Sequence, residues 1–192
     1  MHRTVVLAET LVPRGGVLRE VALIVAGNLL IILSAQLRIH LPFTPVPITG
    51  QTFAVLLVGA ALGARRGAAS VLLYLAQGAL GWPVFAGGTG GMLHLLGPTG
   101  GYLIGFAVAA WLTGYLAERQ WDRHLHRAVG AMALGNLVIY LFGVAWLAQF
   151  VGWEAAIVKG VLPFLPGDAL KIALAATVLP TAWRVLASWS TE

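Results

Sequence analysis

The sequence contains no cysteine among its 192 residues. A disulfide, a thiolate metal site and a cysteine nucleophile are therefore all excluded. Charged side chains are also scarce: they make up 10% of the residues, against about 25% in an average soluble domain, whereas 59% of the residues are hydrophobic. No polar block is long enough to form a second, soluble domain. We therefore predict a single integral membrane domain over residues 1–192, all α-helical.

The sequence also lacks the motifs of common enzyme classes. Residues 97–101, G-P-T-G-G, miss the lysine of a phosphate-binding loop, and no G-x-S-x-G nucleophile turn is present. His94, His124 and His126 do not have zinc-ligand spacing and are typical of loop residues. We expect no catalytic activity, no cofactor and no metal. The net charge of +5 is scattered between apolar segments, which indicates membrane orientation and not nucleic-acid binding.

Apolar segments of helical length recur along the chain. They predict a bundle of six transmembrane helices, at residues 18–37, 47–63, 67–82, 100–117, 128–151 and 167–189. Residues 63–67, G-A-R-R-G, are predicted to form a tight basic turn between the second and third helices. In the fourth helix Gly101, Gly105 and Ala109 recur every four residues, which favours close packing against a neighbouring helix.

Small residues also occur in the first helix. Ala22 and Ala26 are separated by three residues, a spacing that lets helix backbones approach closely in lipid. Alanine is common in membrane helices, so spacing alone leaves docking and chance equally open. In the fifth helix Asn136 is a lone polar residue, and we interpret it as a bridge between two helices.

Two segments between the helices cannot be regular helix. The proline-rich segment, residues 38–52, carries three prolines at short spacing, and the glycine-rich segment, residues 82–102, holds seven glycines and two prolines but no charge. At membrane depth an irregular backbone is tolerated only where it is buried in protein or lines a cavity. We interpret the glycine-rich segment as the lining of a small-molecule site, with a flexible aqueous loop as the alternative.

The distribution of arginine predicts the orientation in the membrane. If both termini are cytoplasmic, Arg38 and Lys159 lie outside, and the inner side holds nine arginines: Arg3, Arg14, Arg19, Arg65, Arg66, Arg119, Arg123, Arg127 and Arg184. In this orientation the proline-rich segment, the glycine-rich segment and the start of the sixth helix all lie on the outer side. Their convergence predicts a pocket that opens outward.

The sixth helix carries a charged pair in an apolar segment. Asp168 and Lys171 are three residues apart and share one helical face. Ionisable residues inside a membrane are costly and usually functional. Asp168 follows Pro166 and Gly167 and is predicted to be the N-cap of the helix. Lys171 is a cation in the first turn, where the helix dipole disfavours positive charge, so we expect an anion close to it. That anion is either Asp168 or a ligand carboxylate, and a purely structural ion pair is the alternative.

Four ordered motifs resemble the BioY family, the substrate-binding (S) components of biotin transporters of the energy-coupling-factor (ECF) type. They are L-P-F-T-P-V-P-I-T-G-Q-T at 41–52, P-V-F-A-G-G at 83–88, L-G-P-T-G-G-Y at 96–102 and P-G-D-A-L-K at 166–171. The resemblance implies a six-helix subunit of the plasma membrane that captures biotin from outside. It also implies a transmembrane coupling (T) protein and cytoplasmic ATPases as partners, and it leaves homo-oligomer formation open.

The resemblance also implies site residues. Asp168 would accept a hydrogen bond from a ureido N–H of biotin, and Lys171 would pair with the tail carboxylate or hold Asp168 in place. The remaining contacts that it implies are Gln51, Tyr74, Phe85 and Thr89. Ala22 and Ala26 look like the face that the family uses against its coupling protein.

Three other functions compete with biotin capture at this point. The same fold could carry another vitamin, since the residues themselves indicate only an apolar pocket with an ion pair. A membrane scaffold would use its glycines and alanines only to pack helices. A small intramembrane enzyme is disfavoured because no nucleophile, base or metal constellation is present.

Overall fold

The fold is known from a computed structural model that describes residues 6–12 and 15–189. Arg3 and Arg14, which contribute to the orientation argument, lie outside these ranges. The described chain is mostly helical, with α1 (Leu7–Leu11), α2 (Val17–Gln36), α3 (Gln51–Leu62), α4 (Ala64–Ala79), α5 (Met92–Leu95), α6 (Gly100–Ala117), a 3-10 turn η1 (Trp121–Arg123), α7 (Leu125–Val151), α8 (Trp153–Gly160) and α9 (Leu165–Trp189). Two short strands, β1 (Arg38–Ile39) and β2 (Ile48–Thr49), pair antiparallel.

Four helices in the described ranges, α2, α6, α7 and α9, are long and apolar enough to cross a membrane. The chain is therefore a multi-pass membrane protein. The helices α3 and α4 have 12 and 16 residues, and at about 1.5 Å per residue they are shorter than a hydrocarbon core of about 30 Å. The predicted count of six spans thus depends on how these two shorter helices lie in the bilayer.

The boundary between α3 and α4 differs from the predicted one. No basic turn separates them: α4 begins at Ala64, and Arg65 and Arg66 are helical. Gly63 alone breaks the helix, at a φ of 86° that favours glycine. The carboxylate of Glu118 accepts a hydrogen bond from the Ala64 N–H at 2.9 Å. Because this N–H at the start of α4 has a partner, the helix can begin directly after Gly63. The helix predicted from residue 47 begins at Gln51, because β2 occupies the preceding residues.

The centre of the bundle is α6, with 67% of its residues buried, against 22% of the apolar window of α2. It packs against α3, α4 and α7. A Cβ at Gly101 would overlap Trp146, and one at Gly105 would lie 3.1 Å from the Cβ of Phe142. These glycines let α6 and α7 approach closely, which confirms the packing predicted from their spacing.

The C-terminal half of α9 is fixed to η1 by contacts to Trp183. The indole N–H of Trp183 donates a hydrogen bond to Asp122 Oδ2 at 2.5 Å, and Asp122 is buried. The guanidinium of Arg123 lies over the Trp183 ring, 4.3 Å from its centroid. One helix therefore carries Asp168 near its start and this anchor near its end.

Candidate functional site

A cavity of about 390 Å³ lies between the helices α3, α6, α7 and α9, the β1–β2 hairpin and the glycine-rich segment. This volume lies in the range of small-molecule pockets, about 300–1,000 Å³. Much of its wall is apolar and comes from Val46, Phe85, Leu103, Phe106, Ile139 and Phe164. Polar groups are concentrated at a few points of the wall, which is the usual composition of a site that orients one small molecule.

The charged pair of α9 faces this cavity. Lys171 Nζ lies 3.0 Å from Asp168 Oδ1, and the two side chains are 19% and 5% exposed. Lys171 also donates a hydrogen bond to Thr52 Oγ1 at 2.9 Å. A buried carboxylate is tolerated when it is paired and hydrogen-bonded. Of the two anions considered for Lys171, Asp168 is therefore its partner in this structure.

Three further side chains donate hydrogen bonds to Asp168. Thr52 Oγ1 donates to Oδ1 at 3.2 Å, Asn136 Nδ2 donates to Oδ2 at 3.2 Å, and the Tyr140 hydroxyl also donates to Oδ2. With Lys171 these donors occupy the roughly four lone-pair sites of a carboxylate. Helices α3, α7 and α9 thus meet at Asp168, and Asn136 bridges two of them.

Asp168 is not the N-cap of its helix. The helix α9 begins at Leu165, and the Asp168 N–H donates to the Phe164 carbonyl at 2.8 Å, so Asp168 already belongs to the first turn. The reason is that proline is tolerated early in a helix, where its missing N–H has no partner, so Pro166 does not delay the start. The Asp168 carboxylate is consequently free to accept from side chains of neighbouring helices.

A second polar contact joins Gln51 and Tyr74. The amide Nε2 of Gln51 donates a hydrogen bond to the Tyr74 hydroxyl at 2.7 Å. Gln51 lines the cavity, but Tyr74 is fully buried behind it and is not part of the lining. Tyr74 therefore orients Gln51 and has no surface of its own in the cavity.

Phe85 is held at the cavity wall by three neighbours. Its ring meets the edge of Tyr74 at a centroid distance of 5.3 Å and stacks on His94 at 5.2 Å. A Cβ at Gly78 would overlap the Phe85 ring, so the ring lies directly on the α4 backbone. Glycine at position 78 thus makes room for the aromatic wall.

The glycine-rich segment provides one side of the cavity. Thr89 lines it, donating a hydrogen bond to the Ala86 carbonyl at 3.2 Å, with its Oγ1 3.3 Å from His94 Nδ1. Burial lowers the pKa of His94, which favours the neutral imidazole. Gln36, at the end of α2, binds the same segment: its Oε1 accepts from the Gly88 N–H at 3.0 Å.

The structure therefore brings together Gln51, Phe85, Thr89, Asp168 and Lys171 around one cavity. Sequence reasoning missed Thr52, Tyr140 and His94. The spacing of Asn136 and Tyr140, four residues apart on one helix face, is a signal that could have found Tyr140. Among the described residues no group of three or more histidine or acidic side chains is arranged to hold a metal ion.

Ala22 and Ala26 lie away from this cavity, and both are exposed on α2. Their neighbours on the outer face of this helix include exposed Leu18, Val25 and Leu29. Both alanines therefore leave surface of α2 uncovered by the described chain.

Comparison with known proteins gives one consistent result. A family model described as the BioY family matches residues 4–188. A probable biotin transporter BioY from Pyrococcus horikoshii is 44% identical over 160 residues, which cover 83% of this chain and 93% of that protein. A biotin transporter BioY from Thermotoga maritima is 40% identical over 157 residues, covering 81% and 92%.

A solved structure is also similar. It is the crystal structure of an S-component for biotin from an ECF-type ABC transporter, and it superimposes with a TM-score of 0.76 at 25% sequence identity. The match covers 87% of this chain and 92% of that one.

Proposed function

The chain belongs to the BioY family, and we propose that it is the biotin-binding S component of an ECF-type vitamin importer. It captures biotin from outside and delivers it inward with a coupling protein and cytoplasmic ATPases. The observation that carries this proposal is the buried pair of Asp168 and Lys171, which faces an apolar cavity of small-molecule size.

The polar groups at the pair complement a ureido ring. Such a ring presents two N–H donors beside one carbonyl acceptor, and the pair offers a carboxylate acceptor beside an ammonium donor. Lys171 Nζ has three N–H donors and uses two of them, on Asp168 and Thr52. The third is available for the ureido carbonyl.

Asp168 already accepts from four donors, so a ureido N–H must replace one of them. Thr52 is the donor that we expect to turn away, since it lines the cavity, its bond to Asp168 is 3.2 Å long, and its hydroxyl also accepts from Lys171. Asn136 and Tyr140 then keep the other carboxylate oxygen fixed. The site is thereby preorganised, because few groups have to move when biotin binds.

The apolar wall accounts for the rest of the ligand. The thiolane ring and aliphatic tail of biotin contain no group that needs a hydrogen-bond partner, and Phe85, Phe106 and Ile139 provide surfaces for them. Gln51 and Thr89 are the remaining polar contacts, and Tyr74 acts through Gln51.

The membrane arrangement is part of the proposal. The single unit spans the bilayer with α2, α3, α4, α6, α7 and α9, and the surrounding helices compensate for the shortness of α3 and α4. Both termini are cytoplasmic, which leaves Arg65, Arg66 and Arg119 inside and opens the cavity outward. The exposed alanines of α2, Ala22 and Ala26, form the surface for the coupling protein.

The experiment that tests the proposal is equilibrium binding of labelled biotin to the detergent-purified chain without nucleotide. We expect saturable binding by the wild type, and its loss in Asp168→Asn and Lys171→Ala. Glu154→Gln and Lys159→Ala remove the same charges on α8, away from the cavity, and are the matched controls. Folded wild type that binds no biotin would refute the proposal, and displacement by another vitamin would redirect it.

A further inference from the structure

We propose that Arg38 binds the carboxylate at the end of the biotin tail, which leaves Asp168 and Lys171 to the ureido ring. This assignment rests on the proposed function, because it concerns the orientation of the same ligand in the same cavity. It assigns to Arg38 a role in ligand binding, and it fixes which end of biotin lies at α9.

The first argument is the charge balance of the cavity. Apart from histidine, the lining residues whose side-chain type carries a charge at neutral pH are Arg38, Asp168 and Lys171. The last two neutralise each other at 3.0 Å, so one positive charge remains, and it belongs to Arg38. Biotin brings one negative charge with its carboxylate. Pairing that charge with Arg38 leaves every charge in the occupied cavity compensated.

The second argument is that Lys171 is already engaged. Its ammonium group is bonded to Asp168 and Thr52, and a carboxylate placed there would lie next to the Asp168 carboxylate. Two like charges in a site of low dielectric repel each other strongly. Arg38 has no such neighbour: among the described residues it makes no ion pair and no side-chain hydrogen bond.

The third argument is the position of the guanidinium. Arg38 lies on β1, beyond the end of α2, and its guanidinium rests against Gly87 of the glycine-rich segment. A Cβ at Gly87 would overlap Arg38 Nη1, and the φ of 77° at this residue also favours glycine. The proline-rich and glycine-rich segments thus place the Arg38 guanidinium, with its N–H donors, at the wall of the cavity.

The guanidinium suits the assignment chemically. Its planar fork matches a carboxylate with two parallel hydrogen bonds, and it stays charged at every physiological pH. The two histidines that also line the cavity, His40 and His94, are weaker candidates. His94 is half-buried and stacked on Phe85, and partial burial lowers its pKa, so it does not supply a full charge.

The test compares biotin with biotinamide, in which a neutral amide replaces the tail carboxylate. A charge-assisted hydrogen bond contributes about 1.5–3 kcal/mol, which corresponds to about ten- to a hundredfold in affinity. We expect Arg38→Gln to weaken biotin by about this factor and to leave biotinamide unchanged. Arg38→Lys, which keeps the charge but not the fork, should recover part of the loss. Arg127→Gln removes an exposed arginine away from the cavity and is the control.

Each outcome decides the assignment. Selective weakening of biotin by Arg38→Gln supports it. Equal weakening of both ligands would show that Arg38 only shapes the wall, and no weakening would show that the carboxylate binds elsewhere; either result overturns it. If wild type binds neither ligand, the proposed function itself fails. If Lys171→Ala instead abolishes the preference for biotin over biotinamide, the ligand lies in the opposite orientation.

Discussion

Removing both charges of the α9 pair separates its structural role from its role in binding. Asp168→Asn alone leaves Lys171 without its anion, and Lys171→Ala alone leaves Asp168 without its cation. The two side chains are 5% and 19% exposed, so each single variant keeps a charge that water cannot solvate well. Breaking a buried pair in this way costs about 3–5 kcal/mol. We expect both single variants to be less stable in detergent and to bind biotin weakly.

The double variant Asp168→Asn/Lys171→Met leaves no unpaired charge. Its asparagine oxygen can still accept from Asn136 and Tyr140, and methionine fills the volume of the lysine stem. We therefore expect its thermal stability to recover in part. Its biotin affinity should remain at least about tenfold below wild type, because a hydrogen bond to a charged group is worth about 1.5–3 kcal/mol.

The assay measures thermal unfolding and biotin binding on the same purified samples. Stability that recovers without binding would show that the pair contacts the ligand. Binding that returns with stability would mean that the pair only supports the fold, and the reasoning from cavity to ligand would then be wrong. Glu154→Gln/Lys159→Ala, on α8, removes the same two charges away from the cavity and should change neither reading.

Three further predictions concern other parts of the chain. Gly78→Ala should displace the Phe85 ring and weaken biotin binding by about tenfold or more, whereas Gly81→Ala, where a Cβ meets nothing, should retain affinity despite its strained φ. Burial raises the pKa of Asp122, so the folded chain binds a proton there more readily than the unfolded chain. The thermal stability of the wild type relative to Asp122→Asn should therefore increase as the pH falls from neutral. A stability difference that does not change with pH would contradict this. Ala22→Leu/Ala26→Leu should leave biotin binding intact but reduce co-purification with the coupling protein, and loss of both would show that the fold has been damaged.

Much of the fold could be predicted from the sequence, because apolar segments of helical length have few alternatives in a membrane. Helix boundaries were harder to predict. The basic residues after Gly63 were predicted to form a turn, but Glu118 satisfies the first N–H of α4, so the helix starts at once. That hydrogen bond joins residues 54 positions apart in the sequence, so the residues around Gly63 give no sign of it.

The site was predictable only where unusual chemistry identified it. Asp168 and Lys171 stand out in an apolar helix, so they could be identified from the sequence. Thr52 and Tyr140 are ordinary residues of membrane helices, and their importance comes from the three-dimensional convergence of α3 and α7 on α9. Tyr74 was expected as a ligand contact from the family resemblance, yet it does not line the cavity, and its hydroxyl accepts a hydrogen bond from Gln51.

A charged pair offers a binding site an advantage that neutral groups would not. The cost of removing Asp168 and Lys171 from water is met when the chain folds, by their mutual attraction and by the bonds from Thr52, Asn136 and Tyr140. A ligand then meets a carboxylate and an ammonium that are already dehydrated and fixed in direction. When the ligand binds, only its own polar ring has to be desolvated, and the ring gains charged hydrogen-bond partners. Flexible neutral side chains would have to be desolvated and ordered in the same step, which would reduce the net gain. The Asp168–Lys171 pair is therefore compatible with so apolar a wall, and removing either member should harm binding more than its contribution to stability suggests.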